Sequence, residues 1–258
     1  VNANSETYAS WNWKAGTSFT NDASATGVGS VDSTGSINTT AGFSIVSYSG
    51  NDTQETVGHG LGVAPSMIII KRLNVSANWC VYHKSIGAEK YLELSTNIAQ
   101  ADSNSTFNDT EPTSSVFSIY DAGLTGATGS NYIAYCFAEK KGYSKFGTYT
   151  GNGNADGTFI YTGFKPAFIM FKRFDDASRN WWIFDNKRDP DNDVTLELLA
   201  NTNGSEDSTG SANLDFLSNG IKLRTTQTDL NGSGGTLIYM AFAESPFVNS
   251  KGIPNNAR

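Results

Sequence analysis

The residues best equipped for chemistry are three aspartates at alternate positions, Asp189, Asp191 and Asp193, in the stretch DNKRDPDNDVTLE. Carboxylates spaced by two open a calcium loop, because a hard cation draws several oxygen ligands from one short turn. Val194 stands where such a loop places the glycine of its sharp turn, so a solvated acidic loop is the competing reading. His59, between glycines in VGHGLGVAP, is a second candidate, as a ligand or metal contact. His83 lies in a different local context, and two such histidines make a poor basis for zinc. Cys80 and Cys136 have no base in their own segments to activate a thiolate. Free, buried thiols acting as small hydrophobes are expected. The nucleophile elbow, the His-Glu-x-x-His helix, the phosphate loop and the dinucleotide fingerprint are all missing from the sequence. No catalytic residue and no cofactor is therefore expected, calcium at the aspartates aside. Paired carboxylates that cleave glycosidic bonds meet only in the fold, which leaves that chemistry open. The tryptophans Trp11, Trp13, Trp79, Trp181 and Trp182 could stack on sugars, but most recur at equivalent strand positions, which points to the core.

The charge balance narrows the partners. Eighteen Lys and Arg against 25 Asp and Glu give a net charge of −7, and the cations come in ones and twos. Phosphate backbones need clustered cations, so nucleic acid is not an expected partner. Apolar runs are too short to span a bilayer, so no membrane insertion is expected. The opening VNANSETYAS has neither a Met nor a leader pattern and reads as a processed or excised piece.

The elements that must position these residues come in two copies. Pro65 and Pro166 are 101 residues apart, and Lys71-Arg72 matches Lys172-Arg173 at the same spacing. Tyr48 to Asn51 matches Tyr149 to Asn152, Asn78-Trp79 matches Asn180-Trp181, and CFAE matches AFAE. The spacing drifts by four residues, all within Gly, Ser, Asn and Asp-rich stretches where loops absorb insertions. The opening YASWNWKAG resembles YIAYCFAEK and reads as the last strand of an earlier unit. The expected organisation is that strand over 1–16, a Gly/Ser/Thr-rich linker over 17–41, β-repeat units over 42–145 and 146–247, and a tail over 248–258.

Each unit reads as strands. FSIVSY, SMIIIKR, NWCVYHK, KYLELS, SVFSIY and NYIAYCFAE are short, rich in β-branched and aromatic residues, and bounded by turn formers. The expected fold is all-β, two tandem homologous antiparallel β-sandwich units. Alternation places Met67 and Ile69 against Ile68 and Ile70, Trp79 and Val81 against Cys80 and Tyr82, and Trp181 and Ile183 against Trp182 and Phe184. Strands apolar on both faces need cover on both. The other unit, long loops or another chain could supply it.

The pattern Tyr-Ser/Thr-Gly-Asn, Pro-x-x-Ile-x-x-Lys-Arg, Asn-Trp, Leu-Glu-Leu and Phe-Ala-Glu is carried by YSGNDTQETVGHGLGVAPSMIIIKR and YTGNGNADGTFIYTGFKPAFIMFKR. It resembles a repeat of bacteriophage tail-fibre and tail-associated proteins, especially of marine and cyanobacterial phages. YASWNWKAG, DFLSNGIKLR, LNGSGGTLIYMAFAE and GIPNNAR look like the same family. The resemblance implies a virion appendage that is structural and adhesive rather than enzymatic, a homo-oligomer with a trimer favoured, contacts with other virion proteins, and a host-surface receptor such as a glycan. It supplies no receptor-binding or catalytic residues. A polysaccharide depolymerase and a purely architectural virion or cell-surface protein are the alternative readings.

Overall fold

The computed structural model describes residues 4, 8–120 and 123–246. The tail expected at 248–258 lies outside them. In chain order the first elements are β1 (Thr17–Asn21), α1 (Ala23–Thr26) and β2 (Ser33–Asn38). Then come β3 (Phe43–Gly50), β4 (Glu55–Gly58), β5 (Met67–Arg72), β6 (Cys80–His83), β7 (Lys90–Glu93), β8 (Ala101–Asp102), β9 (Val116–Ile119) and β10 (Ser130–Phe137). The second half holds β11 (Ser144–Thr150), β12 (Phe159–Tyr161), β13 (Pro166–Arg173), β14 (Trp181–Asp185), β15 (Leu198–Leu199), β16 (Leu214–Leu217), β17 (Gly220–Leu223), α2 (Thr228–Asn231) and β18 (Thr236–Ala243). The fold is all-β, and every ladder between named strands is antiparallel. Its helices are single turns, so no helix of the described residues is long and apolar enough to cross a membrane.

Two large sheets organise the chain. One runs β1-β2-β3-β10-β5-β6-β7-β8, the other β11-β18-β13-β14-β15. From β3 and from β11 onward, the strand order is the same: first, last, third, fourth, fifth. The second strand of each half pairs elsewhere, β4 with β9 and β12 with β17-β16.

Three apolar clusters stack between these sheets in four layers. Met67, Ile69, Val81 and Phe137 from the first large sheet meet Phe168, Met170, Trp181, Ile183 and Phe242 from the second. On the far side of the first sheet, Ile68, Ile70, Cys80 and Tyr82 pack with Val57 of β4 and Phe117 and Ile119 of β9. On the far side of the second, Ile169, Phe171, Trp182 and Phe184 pack with Ile160, Phe216 and Ile221 of the small sheet. The face assignments expected from alternation are those observed. The two-sided strands find their cover inside one chain, in the opposite large sheet and in the small sheets with their loops.

Three expected boundaries are corrected. The segment 17–41 is not a linker: β1 and β2 extend the edge of the first sheet, with Thr17 opposite Ile37 and Ser33 opposite Tyr48. Its Thr, Ser and Asn residues suit an edge strand whose outer face is wet, and few of its side chains, among them Phe19, Ala23, Val31 and Ile37, are apolar and packed inward. Residues 8–16 form no strand. Instead Trp11 and Trp13 reach into the mouth between the large sheets, where Trp13 meets Phe137, Phe168 and Phe242 edge-on at 5.3–5.8 Å. The division placed at 145/146 falls inside β11, and the chain crosses from one sheet to the other in the turn just before Ser144.

Candidate functional site

The residues that repeat brace the ends of strands. Lys71 donates to the carbonyl of Ala77 and sits 5.7 Å from the Trp79 ring centre. Lys172 does the same to Arg179 and lies 5.9 Å from that of Trp181. Each lysine thus closes the loop between neighbouring strands while its charge rests on an aromatic face. Burial, only partly offset by the Asp229 carboxylate, pulls the Lys172 ammonium down to about 8. The Trp79 N–H donates to Ser95 Oγ at 3.2 Å, and Ser95 donates on to Asn78. Asn201 plays that part in the second half, accepting from Trp181 N–H at 2.9 Å and donating to Asn180.

The other repeated motifs behave alike. Tyr48 donates to the Thr125 carbonyl at 2.8 Å, and Tyr149 to that of Leu230 at 2.7 Å. Glu139 pairs with Lys84 and Lys145, and Glu244 with Lys165 and Asn186. The glycines after the tyrosines admit a loop against the strand. A Cβ on Gly50 would stand 2.3 Å from the carbonyl carbon of Gly126, and one on Gly151 would stand 2.4 Å from the Gly232 oxygen. Gly50→Ala and Gly151→Ala should each lower stability by about 2 kcal/mol, as overpacking against backbone does. Urea titration of the two variants checks this.

The expected site residues do not assemble into a site. Asp189 accepts from the N–H groups of Thr195 at 2.7 Å and Leu196 at 3.2 Å, so it caps its own loop. Asp193 accepts from Asn213 at 2.7 Å, and Asp191 is exposed. Among the described residues no group of three His, Cys, Asp or Glu is arranged to hold a metal ion, and Asp189, Asp191 and Asp193 do not converge as such a group. His59 is buried with both ring nitrogens engaged. Nδ1 accepts from Leu61 N–H at 3.2 Å, which leaves Nε2 to donate to the Thr113 carbonyl at 3.2 Å. That leaves no nitrogen for a ligand. His83 is held likewise, between Ser85 N–H at 3.2 Å and the Tyr239 carbonyl of the opposite sheet at 3.3 Å. Neither cysteine forms a disulfide, and both are buried in one cluster, where burial pushes the Cys136 thiol up to about 12.

Sequence reading missed the polar groups that meet across loops. Asp229 accepts from the Arg179 guanidinium, Asn180 N–H and Trp182 Nε1 at 3.1–3.2 Å. Glu197 is buried and its Oε2 has no partner; burial first, then Asp207 and Asp229, raise its carboxyl to about 7. The signal was faint, because these residues lie 32 positions apart in a loop-rich region.

Repeated and unrepeated residues together line the open surface. A cleft of about 780 Å³ runs between Tyr8, Trp11, Arg188, Asn203 and Glu206. There Arg188 lies 5.8 Å from the Trp11 ring centre and bonds Asp185 at 2.7 Å and Glu206 at 2.6 Å. Burial works against the charge on Asp185, but Arg188 and the Lys187 and Arg188 N–H groups hold its carboxyl below the usual range. The Arg188 guanidinium is thus shared by two carboxylates beside an aromatic wall. A second groove, of about 850 Å³, is lined by Thr20, Asp22, Asp32, Ser49, Glu55 and Asn131.

Antiparallel sheets packed face to face, with repeated residues bracing strand ends, define an all-β fold. The chain belongs to the family described as a domain of unknown function, DUF7483, whose profile matches residues 1–246. That one profile runs through both halves and through the N-terminal segment. No curated protein and no solved structure matches the chain.

Proposed function

We propose that this chain is a non-enzymatic structural and adhesion module of a phage tail fibre, presenting its unrepeated loops to a glycan on a host surface. The observation that carries the reading is the division of labour. The residues shared by both halves brace strand ends, whereas Arg188, Asn203 and Glu206 around the cleft beside Trp11 do not recur in the first half. Such a scaffold adds length and surface without new chemistry. The virion origin rests on the resemblance of the repeated motifs. So does the homotrimer, because the two-sided strands that favoured another chain are covered within this one.

Adsorption competition tests the reading. Host cells preincubated with the purified chain should lose adsorption of the phage that encodes it, in proportion to the amount bound. Undiminished adsorption at saturating chain would leave an architectural role instead. Release of reducing ends from host polysaccharide by the chain alone would replace adhesion with depolymerisation.

A further inference from the structure

The outer face of the small sheet β12-β17-β16 carries two aromatic rings that the framework does not require. Phe159 and Tyr161 are 44% and 64% exposed, while Ile160 between them is buried in the core. At the corresponding positions in the first half stand Gly58 and Gly60, flanking His59. The first half forms a small sheet of its own, β4-β9, with two strands and no side chain at either position.

The rings are laid onto the sheet. A Cβ on Gly220, the residue opposite Tyr161, would stand 2.9 Å from the edge of the Phe159 ring, so that ring lies over a bare backbone. The Tyr161 ring lies 3.5–3.8 Å from the Cβ position of Gly163 in the same way. Two residues along a strand, the rings are spaced by about 7 Å. Both stand on the same face of β12, partly exposed to solvent.

The charges beside them are already matched. Lys222, opposite Phe159, bonds Asp156 at 2.8 Å and the Gly157 carbonyl. Arg224 bonds Asp215 at 2.7 Å and reaches Asp156 at 3.6 Å. An anionic occupant would have to break these pairs, so the face suits a neutral one. The rings are also too small for a second copy. Two aromatic side chains cover at most about 300–500 Å², against about 800 Å² per partner in a stable interface.

We propose that this face, centred on Phe159 and Tyr161, docks a neutral polysaccharide whose sugar rings stack on the two aromatic rings. The axial C–H groups of a pyranose form an apolar patch with partial positive charge, which matches the negative face of an aromatic ring. The proposal rests on the adhesion reading in placing a saccharide at the surface, and gives that reading a site.

Affinity electrophoresis of the full chain tests it, in native gels cast with dextran, yeast mannan, xyloglucan or galactomannan, and with alginate as the anionic comparison. The chain should be retarded in at least one neutral gel and not in alginate alone. The double variant Phe159→Ala, Tyr161→Ala should lose about tenfold or more in affinity, with an unchanged thermal midpoint. Phe159→Tyr with Tyr161→Phe should keep binding. Retardation in no neutral gel, or in alginate only, overturns the proposal. Equal retardation of the double variant also overturns it, while leaving adhesion through another surface intact. A native mass that falls to monomer only in the double variant would make a second copy the occupant and overturn it too. Adsorption competition by the double variant separates the two readings: full competition without polysaccharide binding means that the chain adheres elsewhere.

Discussion

Trp181→Ala is expected to cost the fold about 4 kcal/mol and to lower the thermal midpoint by about 10 °C. The indole is 1% exposed and lies in the apolar layer between the two large sheets. Its Nε1 donates to the Glu93 carbonyl on the opposite sheet at 2.9 Å. One side chain thus fills the layer and ties its two walls together. Truncation opens a cavity, strips a buried carbonyl of its donor, and removes the aromatic face from beneath the buried Lys172 ammonium. Trp79, the counterpart in the first half, is half-buried and stacks on Tyr135 at 6.3 Å. Trp79→Ala should therefore cost about 1–2 kcal/mol, the smaller loss of a site that water already reaches. Both are read by calorimetry and urea titration. A Trp181→Ala loss no larger than that of Trp79→Ala would mean that the two sheets are not packed as described. So would destabilisation of the second half alone while the first half melts as before.

Side-chain alternation was the most legible feature, because a period of two leaves no freedom once both faces are apolar. SMIIIKR can only set Met67 and Ile69 against Ile68 and Ile70, and those residues lie in different clusters. What covers each face was not legible, since an apolar face reads the same beneath a partner chain or beneath β4 and β9. The 17–41 segment misled because composition reports the need for a core and not the capacity to pair. Backbone hydrogen bonds hold β1 and β2 with few apolar side chains. YASWNWKAG misled in the opposite sense: its alternating aromatics serve as plugs between sheets and not as a strand. Asp189, Asp191 and Asp193 share a spacing, but backbone N–H groups claim Asp189 and Asn213 claims Asp193. Glu197 and Asp229 influence each other only through the fold, which brings their carboxylates within electrostatic reach. FIY at Phe159–Tyr161 carries the alternation of a half-buried strand, yet nothing in those letters says that the outer face stays open.

Two buried groups should oppose each other in the pH profile of stability, and Glu197→Gln should expose the balance. His83 is held neutral by burial, against the pull of the Tyr239 carbonyl, and its pKa falls from 6.5 to about 4. As the pH drops below 6.5 the unfolded chain takes up a proton that the folded chain refuses. Stability then falls by about 1.4 kcal/mol per pH unit, to a total of about 3 kcal/mol near pH 4. His59, also lowered by burial, adds to that slope. Glu197 works the other way, its pKa raised from 4.5 to about 7. As the pH rises above 4.5 the unfolded chain releases a proton that the folded chain keeps, so stability falls until about pH 7 and the cost persists above it. Glu55, raised by burial, adds to this second slope. Between pH 4.5 and 6.5 the slopes largely cancel, and the wild-type profile should be shallow there. Glu139 and Asp185, both held below their ordinary values, withdraw stability only at lower pH. Glu197→Gln removes the buried charge that lacks a partner for Oε2, and should raise stability at pH 8 by about 1–3 kcal/mol. The same variant should show a clear decline from pH 6.5 to 4.5, driven by the histidines and opposed only by Glu55. Urea midpoints taken across this range read both effects. A Glu197→Gln profile as shallow as that of the wild type would mean that His83 does not reside neutral against the second sheet, and with it would go the contact that places β6 beneath β18.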